Sequence, residues 1–175
     1  MAHTITVALL LCLLPLFGYG VEGQLRQQTA SKLDTGFCKA TCPPGWINFK
    51  NRCFKYIAVG KTWIDSELNC LSSGGNLASI HSEEEFQFIK ALIKSRDSAE
   101  NPTWIGLTDS SKEGTWLWTD GSKVDFTKWN SGEPNNVNGG ENCVHTNWSG
   151  KGEKGWNDIA CNSFYAFVCA RHSGM

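Results

Sequence analysis

The sequence predicts an α+β fold in which two helices precede a set of short strands, and three observations carry that expectation. Helical periodicity is confined to residues 62–96, while most of the short β-branched and aromatic runs lie beyond Pro102. Residues 120–155 are dense in Gly, Asn, Asp and Ser, longer than a loop that merely connects two elements. Eight cysteines in 175 residues, behind an apolar leader, indicate a domain stapled by disulfides.

In chain order, residues 46–49 and 53–59 flank the turn Lys50-Asn51-Arg52 and read as a β-hairpin. Thr62 is an N-cap for a short helix whose Ile64, Leu68 and Leu71 share one face, and Gly74-Gly75 ends it. Ser82-Glu83-Glu84-Glu85 is a capping box for a second helix. Phe86, Ile89 and Ile93 form its apolar stripe, and Lys94 and Arg96 suit the negative end of its dipole. Beyond Pro102, strands are expected at 103–107, 115–118, 143–146, 156–159 and 164–169.

Residues 7–17 (VALLLCLLPLF) are too short a run to span a bilayer, and Gly18-Tyr19-Gly20 follows as a small-x-small cleavage site. Residues 1–6 hold no Lys or Arg, so a signal anchor is the rival reading. The expected organisation is a signal peptide at 1–23 (cleaved after 20 or 23), a polar leader at 24–41, a domain at 42–171 and a tail at 172–175. A secreted, extracellular protein without membrane insertion follows from it. The chain carries 16 basic and 17 acidic residues. Cleavage after Gly23 removes Glu22, leaving 16 of each. That balance, without a basic cluster, argues against a nucleic-acid partner.

Cys12 leaves with the signal, and Cys38, Cys42, Cys53, Cys70, Cys143, Cys161 and Cys169 stay. Disulfides are the default in an oxidising compartment, and seven is odd, so one thiol stays free or pairs with another chain. Zinc is a competing reading of Cys38-x3-Cys42, but no paired His spacing accompanies it.

The stretch 133–143, EPNNVNGGENC, concentrates side-chain oxygen where neither a helix nor a core can form. Calcium takes six to eight hard oxygen ligands at about 2.3–2.6 Å. Glu133, Asn135 and Glu141 offer such oxygens, and Asn157-Asp158 offers a second group beside Cys161. A Cys143–Cys161 bridge would hold the two stretches together. Three carboxylates against a dication leave a formal charge of −1, suited to weak extracellular binding. A cis peptide at Pro134 would aim the flanking side chains at one ion. Carboxylates that accept, beside amides that coordinate by oxygen and donate by nitrogen, fit the vicinal diol of a sugar. The plain alternative is a polar surface loop with incidental acids.

These residues resemble a C-type lectin-like domain over 42–169. The resemblance rests on Cys42-Pro43 with Trp46 and Cys53, Trp104-Ile105-Gly106-Leu107, Glu133-Pro134-Asn135, and Trp156-Asn157-Asp158 with Cys161 and Cys169. It implies two helices flanking small antiparallel sheets, a long calcium-binding loop, and bridges Cys42–Cys53, Cys70–Cys169 and Cys143–Cys161. It assigns calcium to Glu133, Asn135, Glu141, Asn157 and Asp158. Carbohydrate contact falls to Glu133, Asn135, Glu141 and Asn157, with a small apolar contact from Val137. Glu-Pro-Asn is the mannose-type arrangement, implying glycans with equatorial 3- and 4-hydroxyls, such as mannose, N-acetylglucosamine, glucose or fucose, on microbial or cell surfaces.

The same resemblance implies a weaker second metal position at Asp109 and Glu113, because Asn136 and Asn142 stand where acids are usual. The short chain is also similar to fish lectins related to type II antifreeze proteins. Ser110, Asn130 and Asn142 occupy the positions of the antifreeze relatives' extra cysteines, which disfavours, without excluding, an antifreeze or other non-sugar role. The bridges leave Cys38 over, and a Cys38-linked homodimer would raise avidity at a shallow site.

An enzyme is not expected. His3 lies in the signal, His172 in the tail, His81 before a capped helix and His145 on a strand, and no nucleophile motif accompanies them. Asn147-Trp148-Ser149 is a glycosylation sequon, expected on a surface turn.

Overall fold

The computed structural model describes residues 42–148 and 154–174. The signal, the leader and Cys38 lie outside the described residues. The elements are β1 (Ile47–Phe49), β2 (Arg52–Lys61), α1 (Trp63–Ser72), β3 (Asn76–Leu77), α2 (Glu83–Arg96), β4 (Thr103–Thr108), β5 (Leu117–Trp118), β6 (Cys143–Trp148), β7 (Gly155–Ile159) and β8 (Tyr165–His172), with a 3-10 turn at Val137–Gly139. The strands join in one sheet ordered β1-β2-β8-β4-β6-β7, with β3 beside β8 and β5 beside β4. Among the described residues no helix is long and apolar enough to cross a membrane.

The α+β class holds, but the sheet is mixed rather than antiparallel. The last strand enters between β2 and β4, and it runs parallel to β4, with Thr103 opposite Ala166 and Trp104 opposite Phe167. At its end His172 pairs with Arg52 on β2, and the Ser173 N–H donates to Asn51 O at 3.1 Å. The three bridges join Cys42 to Cys53, Cys70 to Cys169 and Cys143 to Cys161. In the chain-entropy model, closing a loop of about 100 residues, as Cys70–Cys169 does, contributes about 4–5 kcal/mol.

Thr62 caps α1 as expected, its hydroxyl accepting from the Asp65 N–H at 3.2 Å. The buried face is a different one. Ile64, Leu68 and Leu71 are 55%, 56% and 50% exposed, while Trp63, Ser66, Glu67 and Cys70 point inward. Specific bonds decide this. The Trp63 indole N–H donates to the Ile105 carbonyl at 2.9 Å. The Glu67 carboxylate accepts from the Leu77 N–H at 2.7 Å and from Asn76 Nδ2 at 2.6 Å. Cys70 is tied to β8.

The second helix follows the expected pattern, with Phe86, Ile89 and Ile93 buried. Its capping box is shared. Ser82 Oγ accepts from the Glu85 N–H at 3.2 Å, but Glu85 accepts from the His81 N–H at 2.9 Å and pairs with Arg52 at 2.7 Å.

Trp156 is fully buried and fixes β7. Its ring meets those of Phe86, Trp118, Phe126 and Trp129 at centroid distances of 6.4, 5.7, 5.9 and 5.8 Å. Gly155 lets the chain before it approach closely, since a Cβ there would sit 2.6 Å from Lys128 O. Everything that follows on β7 is therefore aimed by the core.

The reversed face of α1 gives an expected outcome for urea melts. Leu68→Gln changes stability by less than about 0.5 kcal/mol, as at an ordinary surface position. Glu67→Ala leaves the buried Leu77 N–H unpaired and costs about 1–3 kcal/mol.

Candidate metal and glycan site

Antiparallel pairing of β6 and β7 sets Val144 opposite Asp158 and His145 opposite Asn157, and the Cys143–Cys161 bridge closes the pair. The polar loop before β6 is pinned at its start by Asn130, which is 2% exposed. Asn130 Oδ1 accepts from the Gly155 N–H at 2.8 Å and its Nδ2 donates to Trp148 O at 3.1 Å. The Asn130 N–H donates to Trp156 O at 2.9 Å. An asparagine just after Trp129 in a glycine-rich run carries no sequence signal that marks it out for this role.

Further along, Glu133–Pro134 is a cis peptide. Asp158 is sealed from solvent, and its carboxylate accepts from the N–H groups of Asn135 at 3.0 Å and Asn136 at 2.8 Å. The Glu-Pro-Asn turn is thereby strapped to β7. Asn136 adopts a left-handed φ of 43°, tolerable for asparagine, and starts the turn at Val137–Gly139. There Glu141 Oε2 accepts from the Val137 N–H at 2.9 Å, and the Glu141 N–H donates to Asn136 Oδ1 at 3.1 Å. Val137 is 51% exposed. Glu133 and Glu141 are half-buried and Asn135 is exposed.

Asn157 is only 6% exposed. Its Nδ2 lies 2.6 Å from Asp158 O and 3.2 Å from His145 Nε2.

Among the described residues no three Asp, Glu, His or Cys side chains converge as a ready-made metal cage. The donor chemistry still suits calcium, because two of the five candidates are amides and a carboxylate oxygen that accepts one N–H keeps a second lone pair. At the second position, Asp109 is 1% exposed and takes the Gly114 N–H at 2.8 Å. Asn142 Nδ2 donates to Asp109 Oδ1 at 3.1 Å and, more weakly, to Glu113 Oε2 at 3.5 Å. An amide thus stands between the two acids.

Two other features stand differently from a plain sequence reading. Asn147 lies on β6 and is 1% exposed, not on a surface turn. His81 has Asp125 on Nδ1 at 2.8 Å and the hydroxyls of Ser79 and Ser122 on Nε2, both at 3.1 Å, a grouping like a catalytic triad. Each hydroxyl, however, hands its proton to Asp120, so neither is an activated nucleophile.

The model of the lectin C-type domain matches residues 59–171. The chain belongs to the C-type lectin domain family. This is a non-catalytic class, in keeping with the engaged hydroxyls at His81. The C-type lectin domain here is 49% identical over 138 residues to lactose-binding lectin l-2 of Anguilla japonica, covering 77% of this chain and 80% of that one. Its fold is similar to the herring type II antifreeze protein (TM-score 0.69, 34% identity, covering 75% of this chain and 98% of that one). It is also similar to the carbohydrate-recognition domain of cow CD23, solved in the presence of a GlcNAc2Man3 oligosaccharide (TM-score 0.67, 36% identity, covering 78% and 99%). The family thus relates the chain both to carbohydrate-binding lectins and to antifreeze proteins.

Burial pulls the His145 imidazole down to about 4. Its folded-state value lies below the ordinary 6.5, so the unfolded chain takes up that proton first. The contribution is complete above about pH 6.5 and is lost as pH falls towards 4, about 3 kcal/mol at about 1.36 kcal/mol per unit. Thermal melts of calcium-free protein are expected to drop over that window, and His145→Phe to flatten the drop.

Proposed function

We propose that the chain is a secreted lectin that binds glycans in a calcium-dependent manner, through Glu133, Asn135, Glu141, Asn157 and Asp158, with a mannose-type preference. The observation that carries this reading is the pair of hydrogen bonds that the N–H groups of Asn135 and Asn136 donate to the Asp158 carboxylate, which ties the Glu-Pro-Asn turn to the Asn-Asp pair of β7. Calcium, when bound, supplies open coordination positions for the two hydroxyl oxygens of a vicinal diol. Glu133 and Glu141 accept hydrogen bonds from those hydroxyls, and the exposed Asn135 amide donates one. Val137, half out in solvent, offers a small apolar contact to a sugar ring. The apolar run at 7–17 supports secretion, and microbial or cell-surface glycans are the targets this chemistry suits.

A galactoside preference is the second reading. It is favoured by the relative named as lactose-binding. Columns of immobilised mannose and lactose, run with calcium and then EDTA, separate the two. Mannose retention released by EDTA is the expected result. Retention on lactose alone moves the preference to galactosides. Failure on both by a folded protein removes the sugar reading and leaves the antifreeze-like use of this fold, tested by thermal hysteresis.

Cys38 remains over once the three bridges are made, and a disulfide-linked homodimer through it would double the glycan sites on one particle. Non-reducing gels should show a dimer that Cys38→Ser abolishes. Persistence of that dimer in the variant would exclude the linkage.

A further inference from the structure

Helix α1 presents apolar side chains on two sides. Trp63 and Cys70 fill the core side, while Ile64, Leu68 and Leu71 form a second stripe outside, each at least half exposed. Residues spaced i, i+4 and i+7 lie one above another on a helix, so the stripe is continuous. Single exposed apolar residues are ordinary, whereas a contiguous row marks a contact surface. A helix apolar on both sides has the pattern of one that lies between two bodies. α1 itself contains no Lys or Arg, and its two acids are engaged, Asp65 with Thr62 and Glu67 with Asn76 and Leu77. Helices that rest on lipid carry basic residues along the polar face, which α1 lacks.

The start of the domain lies near the end of this helix. Cys42 is bonded to Cys53, and Cys53 sits opposite Arg171 on β8. The Arg171 guanidinium lies over the Trp46 ring and donates to the carbonyl of Ser73, which caps α1 just past Leu71. Cys38 precedes Cys42 by four residues, a reach of at most about 14 Å for extended chain. A disulfide between two such thiols therefore brings the α1 ends of two chains within reach of each other. We propose that the outer face of α1 docks a second copy of this chain, with Ile64, Leu68 and Leu71 packing on the same three residues of that copy about a two-fold axis. The inference rests on the Cys38 linkage proposed above, and it deepens it. A patch that meets itself about such an axis is matched to its partner residue by residue. Leu68, the middle residue, meets its counterpart whether the two helices run in the same or in opposite directions. Three half-exposed side chains alone fall short of the total of about 1,000 Å² that a specific interface clears. The disulfide compensates by holding the faces at high effective concentration, and the stripe fixes how the two domains sit.

The test uses the full secreted chain. Hydroxyl-radical labelling of Ile64, Leu68 and Leu71 is expected to fall several-fold in the Cys38-linked dimer relative to monomeric Cys38→Ser, with the face itself unaltered. Leu68→Cys should add a second interchain bridge between the two substituted positions of that dimer, read by non-reducing peptide mapping. Lys94→Cys, on the exposed side of α2, is the control and should add none. Adding Leu71→Lys to Leu68→Cys is expected to slow the new bridge by about ten-fold or more, since a charge then meets the apolar face. Equal labelling in dimer and monomer, or a linked, folded dimer of Leu68→Cys without the second bridge, overturns the proposal. If the wild type forms no Cys38 linkage, that linkage falls and Leu68→Cys in the Cys38→Ser background decides the face. A bridge that Leu71→Lys slows then upholds the docking, and its absence overturns it.

Discussion

The carboxylate of Asp158 has no exposure to water, and a charge in that position must be compensated by the chain around it. The compensation comes from two backbone N–H groups on a loop more than twenty residues earlier. Loop and strand are therefore mutually dependent: the acid on β7 is met by the N–H groups of the Glu-Pro-Asn turn, and those N–H groups are met by the acid. Trp156 supplies the rigidity behind the arrangement, since four aromatic rings fix it in the core. The disulfide beyond Asp158 then closes the far side. The polar end of the domain is organised by its most apolar part.

Much of the fold was legible because its signals are local. The cap at Thr62, the stripe of Phe86, Ile89 and Ile93, and the hairpin around Lys50 depend on residues within one or two turns of each other. The face of α1 was not legible. Periodicity favours Ile64, Leu68 and Leu71, but the orientation is set by partners distant in sequence, Ile105 for Trp63, Leu77 for Glu67 and Cys169 for Cys70. A buried glutamate that feeds a strand's N–H cannot be recognised without the strand, and β3 is only two residues long. The parallel pairing of β4 and β8 escaped for the same reason, as nothing in either strand's composition records its neighbour's direction.

At the candidate site, residue types could be read and orientations could not. Oxygen-bearing side chains in a run that can form no core are visible in one dimension. The Asn157 amide meets an imidazole twelve residues earlier as well as the next carbonyl along, and the first of these partners is not written in its own neighbourhood. Asn142 likewise reads as a lost acid, and only the fold reveals that its amide bridges Asp109 and Glu113. Asn147 shows the converse limit, since a sequon states a chemical possibility and says nothing of depth.

The order of the strands places β1 and β2 at one margin of the sheet and β6 and β7 at the other. Ser173, near the end of the chain, bonds back to Asn51 at the first margin, so the domain begins and finishes on the same side. Such an arrangement is modular. A stalk, a further copy or another domain can be joined at either terminus without crossing the strand pair that carries Asn157 and Asp158. One sheet topology thus serves equally as a free particle, a pendant head or one bead among several.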